Sequence, residues 1–223
     1  MTIDIAILAS GNGTNAQAII DKINDKILDA KIALIVTNNP KAGVIDRAKK
    51  ANIKYVVIDH TTYKNRSDYD NDLLNIVKKS NAKIIVLAGY MRLLDNQFLS
   101  YYKNCVLNIH PALLPSFTGM HAGEDAIKYG VKLSGCTVHF VEEEVDSGPV
   151  IIQAAVPIKD QNIDNLMQEI HKMEHRIYPQ AIQWLSENRL KINDRYVILE
   201  NSTKKLAIPP NNAFIYPPLE EGF

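Results

Sequence analysis

Apolar positions along the chain follow two rhythms. Short continuous runs at Ile3 to Ala9, Ile32 to Val36, Tyr55 to Ile58, Ile84 to Ala88 and Val106 to Ile109 read as strands buried on both faces. Between them, Ala16, Ile19, Ile20, Ile23 and Ile27, and later Leu73, Leu74 and Val77, recur at helical spacing. Asn39-Pro40 predicts a helix start, a cap followed by proline at the first helical position. Ser67 with Asp70 three residues on predicts a capping box. This alternation implies a parallel sheet covered by helices on both faces.

The rhythm then changes. From Gly135 to Val141, Cys136, Val138 and Phe140 fall on one side and Thr137 and His139 on the other. Val150 to Ile158 is another strand, and the turn residues Asp146-Ser147-Gly148-Pro149 between the two suggest an antiparallel pair. A long helical pattern follows through Ile163, Leu166, Ile170, Met173, Ile177 and Leu185, with Pro179 expected to kink it. Arg195 to Leu199 reads as a final edge strand, and the prolines after Lys204 as an irregular tail. The expected fold is α/β: a Rossmann-like, mostly parallel twisted sheet of about seven strands, helices on both faces, with an antiparallel extension in the C-terminal half.

Composition narrows the function classes. The 223 residues are 46% hydrophobic and 22% charged, with 25 Lys plus Arg against 25 Asp plus Glu. A neutral chain gives no reason to expect a nucleic acid or a membrane surface as partner. No apolar run approaches the roughly 18 residues that span a bilayer, and MTIDIAILAS does not read as a signal peptide. Cys105 and Cys136 read as reduced core residues, so the expected location is cytoplasmic. No Cys/His spacing resembles a zinc site and no metal is expected; a Gly-x-Ser-x-Gly elbow is also missing.

Candidate chemistry begins at Ser10-Gly11-Asn12-Gly13-Thr14-Asn15-Ala16, between the first strand and first helix. Glycines let a backbone approach a phosphate, and a helix N-terminus offers it N–H groups. A plain strand-to-helix turn with Asn15 as cap competes with this reading. The dinucleotide version also requires an acid about 20 residues on, where Val36-Thr37-Asn38-Asn39 has none, so a small phosphorylated substrate suits the loop better. At the end of the fourth strand, Gly89-Tyr90-Met91-Arg92-Leu93-Leu94 is apolar enough to take a flat ring, or simply to pack on the core. In a doubly wound sheet the first and fourth strands are neighbours where ligands bind. These loops and the end of the fifth strand are expected to converge on one sheet edge.

That fifth strand ends Asn108-Ile109-His110-Pro111. Residues two apart point to the same side, and a residue before proline is held extended. Asn108 and His110 should therefore project together from the carboxyl end. Imidazole transfers protons near neutrality, and an amide can donate to an oxygen gaining charge, so the pair suits acyl transfer. A carboxylate would orient the imidazole and favour its charged form. Asp146, in its turn, is the candidate, though an ordinary turn aspartate is the competing reading; the run Glu142 to Glu144 reads as solvated. Glu174 falls one turn after Ile170, where it could bind ribose hydroxyls or form a salt bridge.

Taken together, "ILASGNGTN", "VLAGYMRLL", "LNIHPALLPSF", "VHFVEEEVDSGPVI" and "MEHRIYP" resemble the folate-dependent phosphoribosylglycinamide formyltransferases of the formyltransferase fold, in family order across most of the chain. The resemblance implies that 10-formyltetrahydrofolate, as co-substrate, donates a formyl group to the amine of glycinamide ribonucleotide in de novo purine synthesis. It implies a catalytic trio of Asn108, His110 and Asp146, phosphate binding by Gly13, Thr14 and Asn15, and ribose binding by Glu174. Folate binding would fall to Arg66, Met91, Arg92, Leu93, Leu94 and Asn108. It also implies one formyltransferase domain over residues 1–203, with a phosphate-binding half (1–100), a catalytic and folate-binding half (101–203) and a tail (204–223), working as monomer or homodimer. Thr118 stands where the family usually has proline, and His171 where some members have glutamine. Three rivals remain: a methionyl-tRNA formyltransferase, for which an RNA-binding domain and a basic patch are wanting; a formyltetrahydrofolate hydrolase, for which a usual N-terminal domain is wanting; and a non-catalytic nucleotide-binding module.

Overall fold

The computed structural model describes residues 2–200, 205–207 and 213–223. Its contacts group into two compact units, Met1–Leu107 and Asn108–Phe223.

The first unit is built on parallel strands. β1 (Ile3–Leu8) pairs on one side with β2 (Ala30–Thr37) and on the other with β4 (Ile84–Leu87), and β2 pairs with β3 (Tyr55–Val57). Ile5 to Leu8 are fully buried, as continuous apolar runs require in a sheet covered on both faces. The helices are α1 (Thr14–Asn24), α2 (Val44–Lys50), α3 (Arg66–Lys79) and α4 (Asn96–Tyr101).

Two local expectations are corrected in this unit. Asn39-Pro40 starts no helix: the Asn39 side chain accepts from Lys41 N–H at 2.9 Å and donates to the Ser10 carbonyl at 3.3 Å, and α2 begins at Val44 after Gly43. α3 is capped by Asn65, whose side chain accepts from Asp68 N–H, so Ser67 lies inside the helix and Asp70 turns to Arg66 instead. α1 is preceded by Gly13 in the left-handed conformation (φ 70°), and Asn15, the cap of the competing turn reading, is the second residue of the helix.

Strand β5 (Val106–His110) runs from the first unit into the second, which contains α5 (Ala122–Tyr129), β6 (Leu133–Phe140), β7 (Val150–Pro157), α6 (Ile163–Ser186), β8 (Leu190–Asn193), β9 (Tyr196–Leu199) and β10 (Phe214–Tyr216). β6 and β7 are the expected antiparallel pair, and α6 packs against both. β9 meets β7 at Tyr196 and forms an antiparallel hairpin with β8, so it lies between them and is not the edge strand expected at Arg195 to Leu199. β10 pairs antiparallel with β7, and with β8 it brings the described strands to ten, against about seven expected. The expected tail falls partly outside the described residues, at Lys204 and residues 208–212.

The end of the chain is held by one buried polar cluster. The Glu220 carboxylate accepts from Arg189 at 2.6 Å and from the Trp184 indole at 3.1 Å, and Glu220 N–H donates to the Gln180 side chain at 2.8 Å. Arg176 donates twice to the Phe223 carbonyl oxygen. No helix among the described residues is long and apolar enough to cross a membrane.

Candidate active site

In the second unit Asn108 and His110 end β5 as the Pro111 break predicts, with His110 only 4% exposed. His110 Nδ1 lies 3.4 Å from Asp146 Oδ2, and its Nε2 lies 2.8 Å from the Phe117 carbonyl oxygen. Both ring nitrogens therefore face acceptors. Asp146 has a left-handed backbone (φ 53°) and its Oδ2 also accepts from Gly119 N–H at 2.9 Å. Gly148 makes this turn possible: a Cβ there would meet the Phe140 carbonyl oxygen at 1.8 Å. The backbone bond from Phe140 N–H to Pro149 O then ties the turn to the end of β6. Thr137, fully buried on β6, donates to Ala112 O and accepts from Leu114 N–H, which fixes the chain just after His110.

A fourth member, His139, escaped the sequence reading. Its Nε2 lies 3.1 Å from Asn108 Nδ2 and 3.8 Å from Asp146 Oδ1, and its Nδ1 lies 2.8 Å from the Phe140 carbonyl. Burial lowers its pKa below the usual imidazole value, outweighing the Phe140 carbonyl and the Asp146 carboxylate, which pull upward; the His110 charge adds to the lowering. The ring is thus the neutral tautomer with Nδ1–H on Phe140, which leaves Nε2 to accept from Asn108. The Asn108 amide is oriented accordingly, with its second N–H available to a ligand. The signal was present in the alternation: a Thr and a His two apart, interleaved with the core residues Cys136, Val138 and Phe140.

Glu174, on α6, is 3% exposed. Burial first and the Glu174 charge second push the Cys136 thiol well up, consistent with an inert core cysteine. Cys136 is buried and Cys105 partly exposed; both are free. Among the described residues, no three His, Cys, Asp or Glu side chains are grouped to hold a metal ion.

The first unit holds the other predicted residues. At Gly13 a Cβ would lie 2.7 Å from Val44 Cγ2, so the position demands glycine for space as well as for its positive φ. Thr14 is exposed at the first residue of α1, Asn15 partly buried, and no acidic residue occupies that first turn. Met91 and Leu93 expose 64% and 55% of their surface, while Leu94 is buried. Arg92 stacks over the Tyr69 ring at 4.4 Å. Arg66 braces this segment, donating to the Leu93 carbonyl at 3.2 Å and to Asp70 at 3.1 Å.

A parallel α/β unit with a glycine loop, and a strand end carrying an amide and an imidazole beside a carboxylate, have the features of a group-transfer protein suited to acyl chemistry. Residues 3–182 match the family model described as Formyl transferase, and the chain belongs to that family. It is 38% identical over 191 residues to phosphoribosylglycinamide formyltransferase of Bacillus subtilis, covering 85% of this chain and 96% of that protein. The Escherichia coli protein of the same name is 36% identical over 198 residues, covering 88% and 93%. The crystal structure of glycinamide ribonucleotide transformylase 1 from Symbiobacterium toebii superposes with a TM-score of 0.88 at 39% identity, covering 90% of this chain and 95% of that one. The chain also matches the bovine trifunctional purine biosynthetic protein adenosine-3, 38% identical over 191 residues, but spans only 19% of its length.

Proposed function

We propose that the chain transfers a formyl group from 10-formyltetrahydrofolate to the amine of glycinamide ribonucleotide, giving formylglycinamide ribonucleotide and tetrahydrofolate in purine synthesis. The observation that carries this reading is the Asn108–His110–Asp146 cluster at the end of β5, with His110 Nδ1 3.4 Å from the Asp146 carboxylate. The substrate amine attacks the formyl carbon and a C–N bond forms. The tetrahedral oxyanion takes hydrogen bonds from the Asn108 amide and the charged His110 ring. The C–N bond to the folate then breaks, N10 gains a proton from His110, and the proton lost by the attacking amine restores the ring. Asp146 orients the ring throughout. His110 Nε2 rests on the Phe117 carbonyl, so it exchanges that acceptor for the substrate when it donates.

Gly13, Thr14 and Asn15 take the substrate phosphate and Glu174 its ribose. Arg66 and Met91 to Leu94 take the folate, with the two exposed apolar side chains against the pterin. The protein works in the cytoplasm as a monomer or homodimer, without nucleic acid. The test is an incubation with 10-formyltetrahydrofolate, with and without glycinamide ribonucleotide, following tetrahydrofolate. Release only with the ribonucleotide is expected. Release without it means a hydrolase, and none in either case means a binding module or another acceptor.

A further inference from the structure

Ser10 stands at the start of the glycine loop, yet its side chain points away from it. Its hydroxyl accepts from Met91 N–H at 2.8 Å and donates to Asn38 Oδ1 at 2.5 Å. Its backbone N–H donates to Gly89 O at 3.0 Å, and its carbonyl accepts from the Asn39 side chain. Asn38 is 5% exposed, and its Nδ2 lies 3.3 Å from His60 Nδ1, so the acceptor that orients the hydroxyl is itself anchored. One residue thus ties together the loops that follow β1, β2 and β4. Met91, which receives the hydroxyl, opens the segment assigned to the folate; Gly13, three residues after Ser10, belongs to the loop assigned to the phosphate.

We propose that the Ser10 hydroxyl is a positioning group coupling the two ligand loops, so that ribonucleotide and folate each tighten the binding of the other; this rests on the ligand assignments proposed above. The physical basis is simple. The Met91–Ser10 bond forms only when both loops hold their mutual register. A ligand that orders one loop places its half of the bond, and the second ligand meets a loop already held. Coupling of this kind is reciprocal, the same factor appearing on both affinities. Its size is bounded by the net worth of one hydrogen bond, about 2- to 10-fold in affinity.

Calorimetric titration with glycinamide ribonucleotide and tetrahydrofolate tests this, since tetrahydrofolate has no formyl group to transfer. In the wild-type protein each ligand should lower the Kd of the other by an equal factor in that range. Ser10→Ala should bring the factor to about one and raise KM for both substrates more than it lowers kcat at saturation. Ser10→Thr, which keeps the hydroxyl, should restore the coupling. Should Ser10→Ala lose its fold, the near-isosteric pair Ser10→Thr and Ser10→Val, with and without a hydroxyl, asks the same question. An equal factor in the hydroxyl-free variant and the wild type overturns the coupling alone. A wild-type protein that binds neither ligand overturns the functional reading and the coupling with it.

Discussion

Two carboxylates of the second unit, Glu220 and Asp146, each sit in a cluster of polar partners, and their surroundings differ in kind. Glu220, 2% exposed, faces a guanidinium at 2.6 Å, an indole N–H and a side-chain amide. None of those partners changes its protonation in the working range. Asp146 faces one backbone N–H and two imidazoles, at the looser distances of 3.4 and 3.8 Å. Imidazole is the side chain suited to proton transfer near neutrality, although burial holds the His139 ring on the neutral side. The first cluster is tight and permanent, which suits holding the end of the chain to α6. The second is looser and can change charge, which suits moving a proton. Burial of a carboxylate alone does not distinguish these uses; the titration of its partners does.

The comparison predicts opposite phenotypes. Glu220→Ala leaves the Arg189 guanidinium, 6% exposed, without its shortest ion pair. Breaking a buried pair by removing one partner typically costs about 3–5 kcal/mol, so a large drop in the midpoint of urea unfolding is expected, with kcat retained by the folded fraction. A midpoint like that of the parent would mean that the Glu220 cluster does not clamp the chain end. Asn108→Ala should do the reverse. Loss of one oxyanion donor costs about a hundredfold to a thousandfold in kcat, while KM and the unfolding midpoint move little. A near-normal kcat in this variant would remove Asn108 from the oxyanion role.

Much of this was legible in the chain itself, for identifiable reasons. Continuous apolar runs gave away β1, β2 and β4 because strands buried on both faces admit little else. Pro111 fixed the end of β5, and with it the shared direction of Asn108 and His110. The errors fell on caps, where about 1 kcal/mol decides and tertiary contacts compete: Asn39 is drawn to the Ser10 carbonyl, and Asn65 takes the cap expected of Ser67. β10 is three residues long and exists by pairing with β7, about sixty residues earlier, which no local pattern announces. The Ser10–Met91 bond spans 81 residues and was equally hidden. His139 was missed for a different reason: a regular alternation assigns it to a face but does not say what covers that face, and the structure leaves it 2% exposed.

His139 also supplies the smallest and most specific test of the contrast. Its folded pKa lies below the ordinary imidazole value of 6.5, chiefly because burial disfavours the charged ring. The sign follows from linkage. As pH falls below 6.5 the unfolded chain binds a proton that the folded chain still refuses, so the unfolded state binds more protons and stability falls. Above 6.5 both states are neutral at this position and its pH dependence vanishes. His139→Gln keeps an acceptor for the Asn108 amide but cannot titrate. Between the folded pKa and 6.5, its unfolding free energy should therefore rise less steeply with pH than that of the parent. The difference between the two slopes isolates this residue from the other histidines. Parallel slopes through that window would show that His139 charges as readily in the folded cluster as in water.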